Sequence, residues 1–376
     1  MSEFAAGPAG RIERVRALMA ERGYDAIVVR DEANLRWLTG VKGVFDYTFE
    51  FPHAAFITAD QCLFHTDSRY LNSFEENTSA GSPWVYDMDE GTIPGWVAGK
   101  IAANKCRVCA VEDDMQINFY QGIQRGLEDR SVACMLPLMH DDIRKMRAIK
   151  DAEEIELMRH AQSITDAAFQ HMLGYIKPGM TEKQVRNELE IFMFANGADS
   201  LAFGSIVASG PNTANPHAVP SDRVIEKGDF VLMDYGAGYC DYRSDMTRTV
   251  VMGEPTQEQL DLYALVRRAH EECVAAIHPG VEGNDIFKLS KKIIGDAGYG
   301  DYYNHGLGHG VGIDIHELPN FNRSKSIIEV GSVITMEPGV YLPGVGGVRL
   351  EDYGVVTENG YEPFTKTPHD LHVIDC

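Results

Sequence analysis

Four carboxylates in the second half of the chain, with histidines between them, have the types and spacing to share one reaction centre. In VLMDYGAGYCDYRSDMTRTVV an apolar run delivers Asp234, a glycine-containing turn follows, and a second strand delivers Asp245 beside Thr247 and Thr249. Two aspartates on adjacent strands of a hairpin can point into one pocket. Hairpin aspartates also make Asx turns, and the spacing does not separate the two readings. Buried carboxylates must be paired or bind a cation. In NHGLGHGVGIDIHELP, His305, His309 and His316 lie among glycines at 306, 308, 310 and 312, which permit close backbone approach. SVITMEPGV carries Glu337 to the end of an apolar run, where the following proline holds it extended. VGGVRLEDYGVV places Arg349 two residues before Glu351, on one face of an expected strand; an Arg–Glu ion pair is the alternative reading. His217 sits in the proline-rich loop SGPNTANPHAVP and is uninformative alone.

Together these segments offer mainly oxygen donors with some imidazole nitrogen, a set suited to Mn²⁺, Zn²⁺, Co²⁺ or Fe²⁺. Four negative charges in one pocket call for about two dications. Two metals ~3.5–4 Å apart can deprotonate a water and polarise a carbonyl, which is the chemistry of a two-metal hydrolase.

The elements that position these groups fall into two domains, expected at 1–140 and 141–376. The first reads as α/β: an amphipathic helix over Arg11–Arg22, a buried strand in YDAIVVR, a helix in EANLRWLTG, and a hairpin of AAFITAD and QCLFHT. CRVCAVE and SVACMLP read as further strands around a helix near Ile117–Leu127. The second domain opens at Asp151, with Glu154 three residues later as a capping box. Thr181-x-x-Gln184 caps a second helix ending at Asn196-Gly197. This helix–PG–helix–NG plan recurs about 101 positions later, matching Pro178-Gly179 to Pro279-Gly280 and Gly197 to Gly298. An internal duplication follows, with two α+β halves related by a pseudo-twofold axis; chance similarity of two amphipathic helix pairs is the alternative.

Composition limits what such a protein can bind. Lys and Arg total 34 against 56 Asp and Glu, a net charge of −22 over 376 residues. Such a surface repels phosphates, so neither nucleic acid nor an anionic membrane is an expected partner. Cysteines at 62, 106, 109, 134, 240, 273 and 376 are read as reduced thiols. The first twenty residues lack the apolar core of a secretory signal, and no apolar run reaches membrane-spanning length. The expected location is cytoplasmic.

The set D-x10-D, HGLGHGVG…HE, EPG and R-L-E resembles the pita-bread metallopeptidases, the group of methionine aminopeptidase, aminopeptidase P and prolidase, with creatinase as a metal-free relative. The resemblance covers about 151–376 and extends to the first domain, where NLRWLTG and TDSRY are similar to the creatinase/prolidase N-terminal domain. It implies a creatinase-like N-terminal α/β domain before a duplicated α+β pita-bread domain, as in the aminopeptidase P/prolidase branch. It further implies that Asp234 chelates one ion, that Asp245 and Glu351 bridge two, and that His309 and Glu337 complete the second ion's ligands. Glu337 would also be general base and acid. His217 and His316 would hydrogen-bond the substrate carbonyl and the tetrahedral intermediate. His305 would support the site or line the pocket, and Arg349 would orient or neutralise the carboxylates. The implied cofactor is two divalent ions per chain, Mn²⁺ first, with Zn²⁺, Co²⁺ or Fe²⁺ as alternatives. The implied activity is Xaa-Pro aminopeptidase, acting as a homodimer on peptides with proline second. Xaa-Pro dipeptidase, a creatinase-like hydrolase of a small amide, and a non-catalytic binding module are the other readings.

Overall fold

The structure, a computed structural model, describes residues 7–42, 52–79, 81–88, 91–321 and 326–375. The chain divides into two compact units, Met1–Arg147 and Ala148–Cys376.

In the first unit, helix α1 (Gly7–Arg22) precedes strand β1 (Ala26–Val29) and helix α2 (Glu32–Thr39). Asp31 caps α2 through the Asn34 N–H, and Gly40 ends it at φ 65°, a conformation glycine enters without a Cβ penalty. Next come β2 (Ala54–Thr58), β3 (Cys62–His65), α3 (Leu71–Asn77), β4 (Val85–Asp87), α4 (Ile93–Ala103), β5 (Cys109–Val111), α5 (Ile117–Asp129) and α6 (Asp142–Arg147). The sheet order is β4-β3-β2-β1-β5, with β1 antiparallel to β2 and parallel to β5. The continuous apolar run AIVV thus forms an inner strand buried on both faces. SVACMLP does not form the expected strand. Its backbone makes one isolated parallel bridge, Met135 to Val108, with a second just beyond it, Leu138 to Val111, while Val132, Cys134 and Leu136 pack against the core.

The second unit begins with α7 (Ala152–Tyr175) and α8 (Glu182–Ala195), whose capping boxes are the expected Asp151/Glu154 and Thr181/Gln184 pairs. Short β6 (Ser200–Leu201) leads to β7 (Ile206–Ser209), β8 (Phe230–Tyr235), β9 (Ala237–Tyr239), β10 (Tyr242–Arg243) and β11 (Met246–Met252). The second pass has α9 (Gln257–Ala275), α10 (Gly283–Asp296), β12 (His309–Gly310), β13 (Glu317–Asn320), β14 (Val333–Met336), β15 (Gly339–Leu342), β16 (Gly346–Arg349) and β17 (Asp352–Thr357). Strands β18 (Gly360–Pro363) and β19 (Val373–Ile374) close the chain.

The duplication is visible in the backbone. Gly179 and Gly280 have φ of 95° and 88°, and Gly197 and Gly298 have 99° and 90°. Gly179 donates to the Ile225 carbonyl at 2.9 Å, and Gly280 to that of Ile328 at 2.7 Å. Each helix pair backs an antiparallel set, β7-β8-β11 in the first pass and β12-β14-β17 in the second. The helix faces are apolar where they meet these strands. Val185, Leu189 and Met193 of α8 pack on Val231, Met233 and Val250, each burial contributing roughly 1.5–3 kcal/mol. Asp234 lies near the end of β8 and Glu337 directly after β14, while Asp245 and Glu351 directly precede β11 and β17. Each pass therefore delivers one pair of carboxylates.

Gly236 is the tightest point of the first pair's support. A Cβ there would lie 1.9 Å from the Ser244 carbonyl oxygen, which is backbone and cannot swing aside. Gly236→Ala is expected to destabilise this unit by about 1–3 kcal/mol. Denaturant unfolding checks this; an unchanged midpoint would show that the strands separate freely here.

Among the described residues no helix is long and apolar enough to cross a membrane. Cys62, Cys106, Cys109, Cys134, Cys240 and Cys273 are free thiols, and Cys376 lies outside the described residues.

Candidate metal centre

Asp234, Asp245, His309, Glu337 and Glu351 converge. Ligand atoms of Asp245, His309 and Glu351 all lie within 4.8 Å of one another. His309 Nε2 is 3.7 Å from Asp245 Oδ2 and 3.5 Å from Glu337 Oε1. Arg349 Nη2 donates to Asp234 Oδ2 at 2.6 Å, and Asp234 Oδ1 is buried without a hydrogen-bond partner.

Three physical features suit this cluster to cations. First, burial and mutual repulsion oppose ionisation. Burial first, then Glu351, Asp234 and Glu337, push the Asp245 carboxyl well above the ordinary range. Burial, then Glu337 and Asp234, do the same to Glu351. Burial raises Glu337 to about 7 against the pull of Arg349. Second, His309 Nδ1 is 3.0 Å from the Gly310 carbonyl, which can only accept, so Nδ1 carries the proton. Burial holds this imidazole neutral, at about 4. Its Nε2 lone pair then faces two carboxylates, an arrangement a cation reconciles. Third, the orphaned Asp234 oxygen lacks the partner that a buried carboxylate requires. The donor set thus fits divalent ions.

Hydrogen bonds aim these ligands. Thr247 Oγ1 donates to Glu351 Oε2 at 2.6 Å, and Arg349 Nε donates to the same Thr247 oxygen at 3.0 Å. The Thr335 hydroxyl accepts from the His309 N–H at 3.0 Å and donates to Glu337 Oε1 at 3.5 Å. Arg349 Nη1 donates to Tyr341 Oη at 2.8 Å, and the Tyr341 hydroxyl, held protonated by a pKa pushed up to about 12, donates to His305 Nε2 at 2.8 Å. His305 Nδ1 meets the Gly306 carbonyl at 2.7 Å. Both His305 nitrogens are therefore used within the protein, as a supporting group requires.

His316 stands beside the ligands, its ring 4.2 Å from that of His309. Burial, then His217, lowers its pKa, so it is a neutral donor. His217 is exposed, on a loop anchored at both ends by buried Glu182. Glu182 Oε1 accepts from the Ser209 N–H at 2.7 Å and Oε2 from the Ser221 N–H at 2.9 Å. Lys150 plays the matching part for the His316 segment: its Nζ is 3.0 Å from Glu317 Oε2, while Glu317 Oε1 accepts from the Asp314 N–H at 2.9 Å.

One expectation needs correction. Arg349 and Glu351 do not share a strand face: β16 ends at Arg349, β17 begins at Asp352, and the chain passes from one sheet to the other between them. Arg349 consequently pairs with Asp234, not Glu351. The glycines around His309 do permit close backbone approach; a Cβ on Gly308 would lie 2.3 Å from the Thr335 carbonyl oxygen. Thr335, Tyr341 and Glu182 were not singled out from sequence. Thr335 carried a signal, since it precedes Glu337 by two positions on the same run; Tyr341 and Glu182 carried none.

Comparison with known proteins accords with this geometry. The model of metallopeptidase family M24 matches residues 156–358, and that of the creatinase/prolidase N-terminal domain matches residues 11–149. The Xaa-Pro dipeptidase of Pyrococcus horikoshii is 42% identical over 362 residues, covering 96% of this chain and 98% of that one. Among solved structures, the Xaa-Pro dipeptidase from Bacillus anthracis is 36% identical with a TM-score of 0.89, covering 98% of this chain and 100% of that one. The X-Pro aminopeptidase from Thermotoga maritima is 31% identical with a TM-score of 0.86, covering 97% and 100%.

Proposed function

Because this chain belongs to metallopeptidase family M24, we propose that Asp234, Asp245, His309, Glu337 and Glu351 hold two divalent cations, Mn²⁺ first among them, and that the protein hydrolyses the bond between an N-terminal residue and proline. The observation that carries this is Nε2 of His309 facing Asp245 and Glu337 amid raised carboxylate pKa values. When bound, the ions supply an activated water and polarise the scissile carbonyl.

The chain's own groups do the rest. Arg349 holds Asp234, and Thr247 holds Glu351, so the carboxylates meet substrate already oriented. Glu337 takes the proton from the attacking water and hands it to the leaving nitrogen. A prolyl amide nitrogen has no hydrogen, so it must gain one as the bond breaks. His316 and His217 donate to the carbonyl oxygen as it becomes negative. The N-terminal unit brings no ligand to this set, and the assembly we infer is a homodimer.

Dipeptides are the substrate length we favour, reversing the order in which sequence placed the two activities. Support comes from the B. anthracis and P. horikoshii proteins, both Xaa-Pro dipeptidases; the T. maritima aminopeptidase supports the second reading. Mn²⁺-reconstituted protein is expected to cleave Xaa-Pro dipeptides with higher kcat/KM than Xaa-Pro-Yaa peptides, and to lose activity on chelation. The reverse ranking would make it an aminopeptidase. Cleavage of creatine or another small amide, with no Xaa-Pro peptide turned over, would refute the proposal.

A further inference from the structure

A second cluster of metal-ligating side chains lies outside the set above. His270 on α9, Asp352 at the start of β17 and His369 before β19 each offer a ligand atom, all within 4.8 Å of one another. His270 is fully buried, and neither of its ring nitrogens has a hydrogen-bond partner. Leaving such a group unsatisfied is costly, because its lost hydration is not replaced. Its Nε2 lies 3.6 Å from Asp352 Oδ2, beyond hydrogen-bond range but facing the carboxylate. His369 Nε2 is 2.6 Å from the same oxygen, and the two imidazole centroids are 4.8 Å apart.

We propose that His270, Asp352 and His369 form an additional binding site for a single Zn²⁺-class ion. Two imidazole nitrogens and one carboxylate oxygen are a borderline-soft donor set, and three protein ligands leave a fourth tetrahedral position for water. The surroundings hold the donors in place. Arg248 Nη2 donates to Asp352 Oδ1 at 2.7 Å and to the Thr367 carbonyl at 2.6 Å, fixing the carboxylate and the segment that carries His369. That contact occupies Oδ1 and leaves Oδ2 toward the imidazoles. The guanidinium charge opposes a cation. The Glu271 carboxylate, 3.7 Å from His369 Nδ1, offsets it. His369 and Glu271 are partly exposed, with side-chain accessibilities of 27% and 47%, so an ion enters from solvent without opening the core. Nothing here depends on the reaction at the other centre.

Two measurements test the site on the full-length protein. In equilibrium dialysis against Zn²⁺, His369→Gln and His270→Gln are each expected to retain about one zinc ion per chain fewer than the wild type. The difference holds whether or not zinc also exchanges into the other centre. Equal zinc content in the wild type and both variants overturns the proposal. Because His270 is buried and its variant risks misfolding, wild-type crystals soaked in ZnCl₂ give an independent answer. An anomalous peak at the zinc edge between His270, Asp352 and His369 supports the site; a map with zinc only at the other centre overturns it.

Discussion

Glu337→Gln is expected to lower kcat by ~10²–10⁴-fold, the usual loss when general acid–base help is removed, while most of the bound metal is retained. The amide keeps the shape of the carboxylate and one oxygen able to accept from Thr335, whose hydroxyl lies 3.5 Å from Oε1. It has no basic oxygen, so it can neither take the proton of the attacking water nor deliver one to the prolyl nitrogen. The position suits the role: Oε1 is 3.5 Å from His309 Nε2, at the heart of the cluster. Glu337→Ala would not separate ligand from base, because it removes both at once. Steady-state kinetics paired with metal analysis checks the glutamine variant. Near wild-type kcat would show that another group moves the proton.

The carboxylates were legible because each lies within or directly beside a largely apolar strand, and a charge in that setting needs a reason to be there. The duplication was legible in its punctuation, since Pro178-Gly179 and Pro279-Gly280 sit at turns of the same left-handed conformation. The correspondence of Asp234 with Glu337 was not, because the strands that carry them differ in sequence and only their place in the topology is shared. Arg349 was misassigned for a related reason. A two-residue spacing implies one strand face only while the strand continues, and here the chain changes sheets after Arg349. SVACMLP has strand-like composition, but its backbone makes a β-bridge only at Met135, and the next bridge falls just beyond it at Leu138. The His270–Asp352–His369 cluster left no trace in the motifs. Its members come from a helix face, a strand start and a polar terminal segment, and only tertiary packing joins them.

His217, His309 and His316 are expected to fail in two different ways when truncated. His309→Ala removes a nitrogen that faces Asp245 and Glu337 at 3.7 and 3.5 Å, and at least one ion should be lost with it. His316→Ala and His217→Ala should instead keep both ions and lower kcat by ~10²–10³-fold, the typical loss on removing one donor to a developing oxyanion. The distinction follows from protonation. His309 spends its single N–H on the Gly310 carbonyl and can offer only a lone pair to the centre. His316 is held neutral by burial and by its neighbour His217, yet still carries an N–H to donate. A donor of this kind strengthens as charge builds on the oxygen, so its loss falls on kcat more than on KM. Metal content and kinetics measured side by side for the three variants test the division. If His316→Ala or His217→Ala strips metal as His309→Ala does, the ligand set includes an imidazole assigned here to the substrate.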